Sequence, residues 1–123
     1  MIDVLNLYDL AAEDGIPVYW FNLEQAESLS FNAPDGTCAI AMDPWHLASV
    51  TEEKVKLAHE LGHCETGSFY NRWAMLDVRQ KHENRADKWA IRKLVPESDL
   101  DRALRDGHTE LWDLAEQFGV TED

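Results

Sequence analysis

The chain has 123 residues, which suits one domain (1–123) and is short for two. Eleven Lys and Arg against 24 Asp and Glu leave a net charge of −13, which argues against binding to nucleic acid or to an anionic membrane surface. Hydrophobic residues make up 45%, so a packed core is expected, and the longest uncharged run, Gly15 to Leu23, is far shorter than the roughly 20 residues of a membrane span.

Met1-Ile2-Asp3 has neither a basic nor an apolar leader region, so a cytoplasmic protein is expected. Ile2 to Asp14 reads as a helix capped by Asp3 and closed by Gly15, with Leu5, Tyr8 and Ala12 at helical spacing. Ile16 to Leu23 is rich in β-branched and aromatic residues and reads as a strand. Asn32-Ala33-Pro34-Asp35-Gly36 is turn chemistry, and Thr37 to Met42 is a second strand, ended by Asp43-Pro44. Cys38 and Cys64 are too few for a disulfide framework; the sequence leaves a single bridge between them open, and the favoured reading is two reduced, mostly buried thiols.

Ser49-Val50-Thr51-Glu52 matches a capping box, with Thr51 an alternative cap, and opens a helix that runs to about Thr66 before Gly67. Val55, Ala58, Leu61 and Gly62 share one of its sides. Further helices are predicted over Val78 to Leu94, Ser98 to Asp106 and Thr109 to Phe118. The order of elements predicts an α+β fold, a small antiparallel sheet packed on a mainly helical layer.

The middle helix carries His59-Glu60-Leu61-Gly62-His63, an H-E-x-x-H pattern. Residues i and i+4 lie one turn apart on one face, so two imidazoles there can aim at one cation. Glu60 is rotated about 100° from His59, where it can act as general base on water without binding the metal. With five His in the chain, shuffling the composition yields roughly 0.02 such matches, so the pattern is informative. A catalytic zinc takes three protein ligands, and Glu83 on the next helix is the candidate third. Asp87, four residues on and on the same face, is placed to accept the outer N–H of a ligating histidine. Tyr70, His82 and His108 are candidate oxyanion or substrate contacts; His46 and Cys64 read as a surface residue and a packing thiol.

These stretches resemble the ImmA/IrrE family of zinc metallopeptidases. The resemblance rests on CAIAMD at Cys38 to Asp43, EEKVKLAHELGHCETG at Glu52 to Gly67, ENRADKWAIRKLVP at Glu83 to Pro96 and ELWDLAEQFGV at Glu110 to Val120. It covers roughly the last two-thirds of the chain. It implies one Zn²⁺ held by His59, His63 and Glu83, with Glu60 as base. It also implies a protein substrate such as a helix-turn-helix repressor, as in prophage or mobile-element regulation. Family members often continue past the segment that ends at Val120, so a compact version is expected. The strand over Cys38 to Met42 is expected to be a sheet edge to which substrate backbone adds.

The alternative is a zinc-binding regulator whose acidic surface sequesters a basic partner without cleaving it. Leu114 to Thr121 also reads like the start of a helix-turn-helix, but no recognition helix follows.

Overall fold

Asp3 opens the first helix, α1 (Val4–Glu13), through a reciprocal cap: its carboxylate accepts the Asn6 N–H, and the Asn6 side chain accepts the Asp3 N–H, both at 2.9 Å. The computed structural model describes residues 2–24, 26–32, 35–69 and 76–121. Three strands follow, β1 (Val18–Trp20), β2 (Ser28–Asn32) and β3 (Cys38–Met42). The remaining elements are helices α2 (Val50–Thr66), α3 (Leu76–Leu94), α4 (Glu97–Arg105) and α5 (Leu111–Phe118). This is the expected α+β arrangement, a small open sheet against a mainly helical region.

The sheet differs from expectation in three respects. Its order is β1-β3-β2, with β2 antiparallel to β3 but β1 parallel to it, so the sheet is mixed. Strand β3 is therefore central, and Ala39, Ile40, Ala41 and Met42 are all buried. This overturns the expectation that Cys38 to Met42 offers an edge to substrate, because both sides of that strand are already paired. The edges are β1 and β2. The β2 strand was not expected, although its Ser-Leu-Ser-Phe alternation is a period-two signal. Of the expected turn before β3, Ala33 and Pro34 lie outside the described residues.

Helix α2 is the hub and packs on α1, α3, β2 and β3. Its start follows the capping reading: Ser49 Oγ accepts the Glu52 N–H at 3.1 Å, and the Glu52 carboxylate turns back to the Ala48 N–H at 2.8 Å. Its end is Gly67 at φ 65°, a left-handed conformation that costs glycine nothing. Leu57, Ala58 and Leu61 enter the core with Leu7, Ala11, Ile40, Met42, Ala90 and Leu94. Each fully buried large aliphatic side chain in that cluster contributes about 1.5–3 kcal/mol.

Cys38 and Cys64 are joined in a disulfide, which overturns the expectation of two free thiols. The first residue of β3 faces the last turns of α2, and the two Cα atoms are 5.7 Å apart, within bridging range. Closing a loop of 26 residues between sheet and helix stabilises by about 3 kcal/mol. Among the described residues no helix is long and apolar enough to cross a membrane.

Asp43, directly after β3, fixes the loops that flank the sheet. It is fully buried, accepts the Leu23 N–H at 2.8 Å and the Trp45 N–H at 2.9 Å, and meets His46 Nδ1 at 2.6 Å. Its own N–H donates to the Glu27 carbonyl at 3.0 Å, which anchors the start of β2. Burial pushes the carboxyl up, but the bonds from Leu23, His46 and Trp45 outweigh it and hold Asp43 below the usual carboxylate range. A depressed carboxyl stabilises the fold at neutral pH, and the contribution is lost as the pH falls through the folded-state value. Asp43→Asn is therefore expected to lower Tm at pH 7, with the gap to the parent chain narrowing at pH 3. Parallel thermal melts at the two pH values check this.

Candidate active site

The site lies where α2 and α3 cross beneath β2. Gly62 permits the crossing. A Cβ at that position would collide with the carbonyl oxygen of the fully buried Ala86, so the two helices approach closely there. That contact brings Glu83 and Asp87, which flank Ala86 on α3, against the histidines of α2.

His59 and His63, one turn apart, stand edge-on with ring centroids 4.8 Å apart and Nε2 atoms 3.2 Å apart. One Glu83 carboxylate oxygen is 2.9 Å from His59 Nε2 and the other is 3.3 Å from His63 Nε2. On the outer side, His59 Nδ1 is 2.7 Å from Asp87 Oδ1, and His63 Nδ1 is 2.5 Å from the Ser68 carbonyl oxygen. Ser68 is fully buried and its N–H donates to the His63 carbonyl, so this bond is fixed by the turn after α2.

The donor and acceptor inventory decides what this cluster can hold. The carboxylate and the carbonyl on the outer side only accept, so both Nδ1 atoms carry the ring proton. In its neutral form each imidazole then presents its Nε2 lone pair to the centre. In that form two lone pairs and two carboxylate oxygens converge, and one metal cation satisfies all four. His59, Glu60 and His63 offer ligand atoms within 4.8 Å of one another. Nitrogen and carboxylate donors around one point suit zinc.

Glu60 is buried, and its Oε2 accepts a hydrogen bond of 2.7 Å from Ser28 Oγ on β2. The cleft over the cluster has a volume of about 290 Å³ and is lined by Ser28, Ser30, Phe69 and Glu83 together with the α2 residues. Ser28, Ser68 and Phe69 were not singled out from the sequence. The alternation of β2 could have found Ser28, whereas no local signal marks a backbone carbonyl as the partner of a histidine.

The remaining candidate contacts fall elsewhere. His82 sits on α3 beside Glu83 but is not among the residues lining the cleft. His108 lies between α4 and α5, with Nδ1 2.7 Å from Asp113, and does not line it either. Tyr70 lies outside the described residues.

A helix pair with H-E-x-x-H on one member and a carboxylate facing it from the other defines an HExxH-type zinc-peptidase site on an α+β scaffold. The family model of the IrrE N-terminal-like domain, Peptidase M78, matches residues 11–123, and the chain belongs to that family. The match extends the resemblance almost to the N-terminus. A solved Mycobacterium tuberculosis transcriptional regulator shares the fold at a TM-score of 0.70 and 18% identity, covering 96% of this chain and 37% of that one. This chain thus spans little more than a third of that protein's length. No curated protein matches.

Proposed function

We propose that this chain is a zinc-dependent endopeptidase acting on a protein, with a helix-turn-helix repressor as the substrate class that the family resemblance implies. The observation that carries the reading is the convergence of the two Nε2 atoms and the Glu83 carboxylate on one point. In this reading His59, His63 and Glu83 hold one zinc ion, Asp87 orients His59, and the Ser68 carbonyl orients His63. When bound, zinc polarises the scissile carbonyl and acidifies water.

The protein's own part in hydrolysis is proton management and positioning. Glu60 takes the proton of the attacking water and passes it to the leaving amine. Ser28, donating to Glu60, holds that carboxylate in place at the cleft. The substrate backbone lies against β2, the edge strand beside the cleft, rather than against β3.

A cytoplasmic setting goes with a repressor substrate, and the Cys38–Cys64 bond is the feature at odds with it, because such bonds are rare under reducing conditions. The net charge of −13 favours the second reading, sequestration of a basic DNA-binding face without cleavage. Metal analysis of purified protein followed by incubation with the repressor-like product of a neighbouring gene tests the proposal. About one zinc per chain and a cleaved repressor, intact again when chelator is present, are expected. A repressor that stays whole yet loses its operator DNA favours sequestration.

A further inference from the structure

A second depression adjoins the cleft. It has a volume of about 570 Å³, within the range of pockets that enclose small ligands. His59 lines both. On α2 the same face continues from His59 to Lys56, Val55 and Glu52, and on α3 it continues from Asp87 to Ile91 and Leu94. Val120 closes the far end, held there because the buried Lys54 ammonium donates to the Phe118 carbonyl at 2.6 Å. Glu27, the residue before β2, lines the groove, and Ser28, the first residue of β2, lines the cleft. A peptide lying along β2 with its reacting carbonyl at the histidines must therefore lay its next side chains over the groove.

The chemistry of the walls identifies those side chains. The floor is aliphatic, and Ile91 is 61% exposed, an apolar surface left uncovered. The rim carries Glu27, Glu52 and Asp87 against one cation, Lys56, whose ammonium is already 3.4 Å from Glu27. We propose that this groove is the specificity site of the peptidase: it receives a large apolar side chain within two residues of the scissile bond, next to a Lys or Arg that meets the acidic rim. The inference rests on the peptidase reading above.

Two measurements with the 123-residue chain separate the inference from that reading. In the first, the zinc-loaded protein is given internally quenched decapeptides that vary Leu, Phe, Ser, Lys and Glu around a central bond. Cleavage is expected to align on Leu or Phe with an adjacent Lys. Ile91→Glu, a change at an exposed wall, is expected to lower kcat/KM for Leu peptides by at least about tenfold and to leave Ser peptides unchanged. In the second, zinc-loaded Glu60→Gln protein is titrated into fluorescein-labelled Leu-Lys, Ser-Lys and Leu-Glu peptides, and anisotropy reads binding without turnover. The Leu-Lys peptide is expected to bind tightest and to lose its advantage in the Ile91→Glu background.

Cleavage that ignores Leu against Ser, or that Ile91→Glu weakens equally for both, overturns the groove and leaves the peptidase standing. Ile91-dependent binding of Leu-Lys with no peptide cleaved supports the groove as a peptide site and removes the peptidase. The absence of both cleavage and selective binding overturns the inference.

Discussion

Glu60→Gln is expected to reduce peptide hydrolysis by about 10²–10⁴-fold while zinc stays bound at about one per chain. The amide matches the carboxylate in shape and still accepts the hydrogen bond that Ser28 Oγ makes at 2.7 Å, so the packing under β2 is preserved. What it loses is the ability to take a proton from water. Zinc retention follows because the proposed ligands are His59 and His63 on α2 and Glu83 on α3, with Asp87 and the Ser68 carbonyl backing the two histidines. Metal analysis and cleavage assays on the same preparation check both halves. A variant that still cleaves at near the parent rate removes Glu60 as the base. One that stops cleaving but releases operator DNA as well as the parent supports sequestration instead.

Gly62→Val is expected to damage the site without touching a ligand. The new side chain meets the Ala86 carbonyl where α2 and α3 come closest, so α3 must shift. Overpacking of this kind costs about 1–3 kcal/mol of stability. Glu83 and Asp87 ride on the same stretch of α3, at 2.9 and 2.7 Å from the His59 ring nitrogens. Moving them should weaken zinc binding by about 10–100-fold, the effect typical of disturbing the partners of metal-bound histidines. Gly15→Ala, at the end of α1 and away from the site, is the control. Its left-handed φ of 69° makes alanine strained, but a Cβ there meets nothing within 4 Å, so stability falls while zinc affinity holds. Zinc titration against a competing chelator, with thermal melts alongside, distinguishes the two variants. Equal zinc affinity in Gly62→Val and the parent chain would show that the helix crossing does not set the site.

Much of the scaffold is legible locally because helix ends are written in few residues. Asp3, Ser49, Gly15, Gly67 and Gly119 bracket three of the helices, each through a cap or a turn that involves only its immediate neighbours. The short strands are less legible, since three to five residues carry too little periodic signal, and β2 was missed despite its alternation. The H-E-x-x-H spacing is legible for the same reason as the caps: a single helical turn brings His59 and His63 onto one face whatever surrounds it.

What no local pattern could state is which elements meet. That β3 is central and parallel to β1, that Cys38 reaches Cys64 and that the Ser68 carbonyl rather than a side chain backs His63 all depend on pairings between distant segments. Gly62 is the clearest case. In the chain it is one small residue within a motif, and its purpose emerges only when Ala86 closes on it and carries Glu83 to the histidines. Residue identity was sufficient to declare the chemistry, because metal affinity resides in donor atoms; the close approach of two helices was needed to give that chemistry a place, because distances between elements are set by packing and not by spacing along the chain.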